Sequence, residues 1–267
     1  NGIIELLEQM GEKDEIRAHR EFLAGIEEGK QLERAVDADD IDTVWSAIAA
    51  GRAERRSGLF DGTGAPAEAA ADAKASDHDP VTIVSGLPRS GTSMMMQMLV
   101  GGGLEPFTDD KREADSDNPR GYLEHEKATR IATDQSWVPE VRGGVFKLVA
   151  QLLAHLPSGE RYRIVFMDRD LRDIVKSQEV MLERLGREGG RLARSRMMQT
   201  LDAQLAMVER LLARREDIDV LFVDYDAVIS DPEGEARRIA DFIGDDLDVK
   251  GMHEAVDASL RRQQSKS

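Results

Sequence analysis

The chain contains no cysteine, so neither a disulfide nor a thiolate metal site can form within it. It fits a reducing compartment on that ground, and a cytoplasmic location is expected. Positive charge is scarce: 36 basic residues stand against 52 acidic ones, a net charge of −16 that disfavours a broad face for nucleic acid or an anionic membrane. Room is left for a local basic pocket. No apolar run reaches the roughly 20 residues of a membrane span, and no signal-peptide pattern is present. Aromatic residues make up only 4% of the chain and offer no stacking platform that would single out carbohydrate. The first residue is Asn1 and not Met, so we expect a piece of a longer gene product, with room upstream for a signal or further domains.

What the chain does have is 267 residues, 40% of them hydrophobic, enough for one α/β domain and a smaller appendage. From Ile3 to about Arg56 the apolar residues (Ile3, Leu6, Leu7, Met10, Phe22, Leu23, Ile26) fall at helical spacing without strand-like alternation. This predicts a helical segment over 1–57, similar to the last helices of a tetratricopeptide-type array, although no complete repeat of roughly 34 residues is present. Such a segment could carry a protein partner. Residues 58–79, rich in Gly, Ala and Asp, read as a linker, and 80–267 as the main domain.

Within that domain Val81–Gly91 reads as a buried strand running into a glycine-rich turn, with a helix over Thr92–Leu99. Gly101-Gly102-Gly103 ends that helix. Leu123 to Ile131 is expected to open a helix carrying Glu124, His125 and Glu126, and Gly143 to Leu156 contains Lys147. Tyr162–Met167 reads as a second strand, Leu171–Leu185 and Leu192–Arg214 as helices, Val220–Val223 as a third strand, and Asp231-Pro232 as the start of a helix ending near Gly244. Strands alternating with helices imply a parallel sheet with helices on both faces and a ligand at the strand C-termini.

The spacing from Gly86 through Gly91 to Ser93 copies the phosphate-loop pattern G-x-x-x-x-G-K-[ST], except that Thr92 stands where the lysine belongs. Backbone N–H groups at a helix start hold phosphate or sulfate without a side chain. The cation here is Arg89, earlier in the loop. A loop that transfers phosphate from ATP needs its lysine, so its absence points to a donor with another reacting group. At the end of the second strand, Arg169 is followed eight residues later by Ser177, which fits a phosphate held by a forked cation and a hydroxyl two turns along one helix.

Gly86-Leu87-Pro88-Arg89-Ser90-Gly91-Thr92-Ser93 resembles the 5′-phosphosulfate loop of sulfotransferases, closest in its P-R-S-G-T form to the protein-tyrosine type and bacterial relatives. Arg169 to Ser177 resembles that family's 3′-phosphate site, and Val223 to Pro232 with Phe242-Ile243-Gly244 resembles a stretch that is mainly structural there. The resemblance implies a phosphate-loop α/β fold and transfer of a sulfuryl group from 3′-phosphoadenosine-5′-phosphosulfate (PAPS), without a metal, to a hydroxyl or amine of a small molecule, sugar or peptide. Pro88, Arg89, Ser90, Gly91, Thr92, Ser93, Arg169 and Ser177 would hold the donor. Arg89 would also neutralise charge on the bridging oxygen, and Lys147 would assist the leaving group.

The acceptor needs a general base. The histidine that many members carry two residues after the strand lysine is replaced by Val149. The resemblance then points to a carboxylate after the loop helix, where Thr108-Asp109-Asp110-Lys111-Arg112 falls; Asp110 is the first candidate and Glu124 the second, with His125 beside it. His155 reads as structural. The carboxy-terminal Arg261 and Arg262 fall in the region where relatives complete the nucleotide site, but the family's G-x-x-G-x-W signature is missing there. Two alternatives stay open. A nucleotide-kinase type enzyme wants a lysine at position 92 and a magnesium-binding carboxylate, for which Asp168 and Asp224 at strand ends are available. A non-catalytic nucleotide- or partner-binding module gains only from the missing histidine.

Overall fold

The computed structural model describes residues 41–60, 78–109, 123–184, 194–244 and 247–256. Four strands form one all-parallel sheet in the order β2-β1-β3-β4: β1 (Val81–Gly86), β2 (Val145–Val149), β3 (Tyr162–Asp168) and β4 (Ile218–Asp224). Every residue of β1 is buried, as expected of an inner parallel strand covered on both faces. β1, β3 and β4 lie where the apolar runs predicted strands. β2 is a fourth strand that the pattern did not announce.

One face of the sheet is covered by α1 (Ile41–Leu59), α4 (Leu171–Arg184) and α5 (Arg194–Leu212), which share a core with Ile83, Phe146 and Phe166. The other face carries α2 (Thr92–Gly101), α6 (Tyr225–Ser230), α7 (Pro232–Ile243) and α8 (Val249–Glu254), packed around Val84, Val165 and Met167. Met94, Met95, Met96 and Met98 of α2 and Met197 and Met198 of α5 are buried, so they fill the core as flexible apolar side chains do. Asp231 caps α7 by accepting from Gly234 N, and Gly244 ends it with φ 71, the start and stop that Asp-Pro and Gly announce.

α1 lies against α5 and α4, with Val44 in the core and Trp45 and Ile48 packed on it. The tetratricopeptide-like expectation rests largely on residues 1–40, which lie outside the described residues. No described helix is long and apolar enough to cross a membrane.

Between β1 and β2 the expected helix over Leu123 to Ile131 contracts to one turn, α3 (Glu126–Thr129). His125 is its cap, accepting from Lys127 N, and Glu124 precedes it. The cap decides the boundary: with φ −132 at His125, neither it nor Glu124 is on the helix.

Candidate functional site

The strand C-termini of the sheet meet at the glycine loop. β1 leaves the sheet at Gly86 with φ 150, where a Cβ would lie 2.5 Å from Ser90 Oγ and 2.7 Å from the Met167 carbonyl. Gly91 has φ 99, and a Cβ there would lie 2.5 Å from the ring of Tyr225. Both positions therefore require glycine for conformation and for space. The turn closes through Ser90 N donating to Leu87 O at 3.1 Å, and α2 starts at Thr92.

Gly91 offers no side-chain cap, and the first turn of α2 holds no acidic residue. The first N–H groups of that helix thus keep their positive end. Ser90 is buried, and its Oγ has no hydrogen-bond partner among the described atoms. An orphaned donor beside an uncapped helix start suits an anionic oxygen, so the loop fits a phosphate or phosphosulfate group.

Arg89 carries the left-handed backbone of the turn, with φ 72. Its Nε donates to Ser177 Oγ at 3.0 Å, and its carbonyl accepts from Arg169 Nη1 at 3.0 Å. The two residues expected to share a phosphate, Arg169 and Ser177, are thereby joined to the loop through Arg89. The Arg169 guanidinium lies 4.4 Å from the Tyr225 ring centroid and 3.7 Å from Asp173. Tyr225 thus touches both the loop glycine and the arginine. It lies within the stretch whose resemblance is mainly structural, and its place immediately after a strand C-terminus is the signal in the sequence that points to it.

A second cluster forms across the sheet edge. Lys147, in the middle of β2, directs Nζ to Ser93 Oγ at 3.1 Å and to Glu124 Oε1 at 2.6 Å. Its side chain is 9% exposed, so this pair is mostly shielded from solvent. The Glu124 carbonyl accepts from Thr108 Oγ1 at 3.0 Å and from Asp109 N at 3.2 Å, and Asp109 Oδ2 accepts from Glu126 N at 2.8 Å. These bonds clamp Glu124 to the segment after α2. His125 stacks on Phe107 at 4.0 Å between centroids, and Phe107 stacks on Trp137 at 5.0 Å. Sparse aromatics are therefore gathered beside Glu124, which composition did not reveal. The Nδ1 of His125 is used by the Lys127 N–H, which leaves that nitrogen no role as a base in this arrangement.

Asp110 and Arg112 lie outside the described residues, as do Arg261 and Arg262. His155 ends a 3-10 turn, Ala150–His155. The strand-end carboxylates that a magnesium reading would use are otherwise engaged. Asp168 is paired with both Arg52 and Arg56, and Asp224 caps α6 by accepting from Ala227 N at 2.8 Å. Burial by itself would raise the Asp168 carboxyl, but the Arg56 and Arg52 guanidiniums outweigh it and hold the group below the usual carboxylate range. Among the described residues no group of three or more His, Asp or Glu side chains is placed to hold a metal ion.

An uncapped helix start, an orphaned hydroxyl and two arginines lie together at the strand ends of a parallel α/β sheet, an arrangement whose chemistry suits an anionic ligand. Residues 128–248 match the family model described as "Sulfotransferase family", so this part of the chain is similar to that family. The match spans β2 to β4 with Lys147, Arg169 and Ser177; the glycine loop and Glu124 lie before it. No curated protein matches the chain.

Proposed function

We propose that the protein transfers a sulfuryl group from PAPS to a hydroxyl or amine. The single observation that carries this reading is the convergence of Arg89, Arg169 and Ser177 at a glycine loop whose Ser90 hydroxyl is buried without a partner. The N–H groups at the start of α2 and the hydroxyls of Ser90, Thr92 and Ser93 would hold the 5′-phosphosulfate end, with Arg89 as its cation. Arg169 and Ser177 would hold the 3′-phosphate.

The donor supplies a sulfuryl group on a phosphate leaving group, and this chain's residues do the rest by positioning and charge. Glu124 takes the acceptor proton, the acceptor lone pair forms the new bond to sulfur, and the bond from sulfur to the bridging oxygen breaks with its electrons left on the phosphate. Lys147 and Arg89 stabilise the charge that appears there. Asp110 is the competing base, and Glu124 is favoured because its carboxylate already lies 2.6 Å from Lys147, which in turn touches Ser93 of the loop helix. The acceptor would approach beside Glu124, where Phe107 and His125 stack.

Calorimetric titration with 3′-phosphoadenosine-5′-phosphate, on wild type and on Arg169→Ala, tests the reading against ATP with magnesium. Micromolar binding lost in the variant, with ATP much weaker, supports it. Preference for ATP with magnesium moves the protein to the kinase reading, which the double arginine pairing of Asp168 disfavours. Donor binding without transfer to any acceptor leaves the non-catalytic module. A protein partner at the helical amino-terminal segment, residues 1–57, has no support among the described residues.

A further inference from the structure

Helix α1 stands before the glycine loop in sequence and outside the family match, yet two sets of ion pairs fasten it to the strand end that carries Arg169 and the helix after it, and a third fastens it to α5. Asp168, the last residue of β3, takes Arg52 on Oδ1 and Arg56 Nη1 on Oδ2 at 2.5 Å. The same Oδ1 accepts from Arg169 N at 2.9 Å. Arg172, on the first turn of α4, reaches back to Asp42 of α1 at 2.5 Å and to Asp170 at 2.6 Å. Arg55 and Arg56 close on Glu209 of α5, whose side chain is fully buried, at 2.5 and 2.7 Å. The Arg52 side chain is only 5% exposed, and its buried charge is balanced by Asp168, with Asp202 at 4.0 Å.

A carboxylate next in sequence to a phosphate-binding arginine is a hazard. Left unpaired, Asp168 would repel a phosphate at Arg169 and would compete for its guanidinium. Paired by two arginines from α1, it keeps only its hydrogen bond to the Arg169 N–H. We infer that Arg52, with Arg56, is a positioning residue of the nucleotide site, acting through Asp168, whose charge would otherwise oppose a 3′-phosphate at Arg169. This rests on the donor reading above and adds to it a helix that the family match does not include.

The test compares 3′-phosphoadenosine-5′-phosphate with adenosine 5′-monophosphate, which lacks the 3′-phosphate, on wild type, Arg52→Met and Arg52→Met/Asp168→Asn. Arg52→Met should weaken the first ligand by about tenfold, a usual size for indirect coupling, and leave the second unchanged. The added Asp168→Asn removes the surplus charge and keeps an oxygen for the Arg169 N–H, so it should restore most of the loss. Equal weakening of both ligands, no weakening, or failure of Asp168→Asn to restore binding each overturns the inference, because a merely structural helix would show no charge-specific rescue. If Arg52→Met does not fold, Arg56→Met carries the same comparison, since Arg55 still holds Glu209. Wild type that does not prefer the 3′-phosphorylated ligand would instead sink the donor reading itself.

Discussion

Arg89 Nε donates to Ser177 Oγ at 3.0 Å, so one hydrogen bond ties the turn after β1 to the second turn of α4. A nucleotide that used both groups would have to insert its anionic ends where this bond now stands. Ser177→Ala removes a hydroxyl that would serve a charged group, and such bonds are worth about 1.5–3 kcal/mol. Calorimetry should therefore show 3′-phosphoadenosine-5′-phosphate binding at least about tenfold more weakly in the variant. Unchanged affinity would remove Ser177 from the site.

The pairing of Glu124 with Lys147 sets up two effects of opposite sign. Glu124→Gln removes the carboxylate that now competes for Lys147, so nucleotide binding should tighten by a few-fold, while transfer should fall by about 10²–10⁴ if a general base is lost. Lys147→Met should weaken binding and transfer together. Full transfer activity in Glu124→Gln would return the role of base to Asp110.

Much of this architecture is legible in the sequence. The loop, β1, β3, β4 and the limits of α7 were all read, because β-branched runs, paired glycines and an Asp-Pro cap are local signals whose physics acts within a few residues. β2 was not, because Val145–Val149 is short, carries Lys147 at its centre and passes directly into a 3-10 turn. The candidate site divides in the same way. Arg89, Arg169, Ser177, Lys147 and Glu124 were named from motif positions, but Arg89 joining Arg169 to Ser177, and Lys147 reaching Glu124, depend on parallel register and side-chain reach. Tyr225 and the arginines of α1 act through contacts far apart in sequence; only the place of Tyr225 after a strand C-terminus marks it, and no local pattern marks the arginines.

The arginine pairing of Asp168 carries a pH signature. Its carboxyl is held below the usual range, so it stabilises the fold fully above the ordinary aspartate value of about 3.9 and loses that contribution as pH falls through the depressed native value. Wild type should be more stable than Asp168→Asn near neutral pH, and the gap should narrow progressively as the pH drops below about 4. Thermal unfolding followed by circular dichroism across pH 2–7 reads this directly. A gap that is constant with pH would mean the carboxylate charge is not what Arg52 and Arg56 contribute.

The contact between Gly91 and Tyr225 can be separated into conformation and collision. A Cβ at Gly91 meets the Tyr225 ring at 2.5 Å, and the position also has φ 99, so Gly91→Ala suffers both penalties. The left-handed backbone alone costs about 1–2 kcal/mol for a residue with a Cβ. Tyr225 supports the Arg169 guanidinium at 4.4 Å, so a displaced ring should also weaken nucleotide binding. In urea unfolding, Gly91→Ala should therefore destabilise by more than the backbone cost, and the double variant Gly91→Ala/Tyr225→Ala by less than the sum of the two single changes. The shortfall measures the collision, and strict additivity would mean that the loop relaxes around the new methyl group without touching Tyr225.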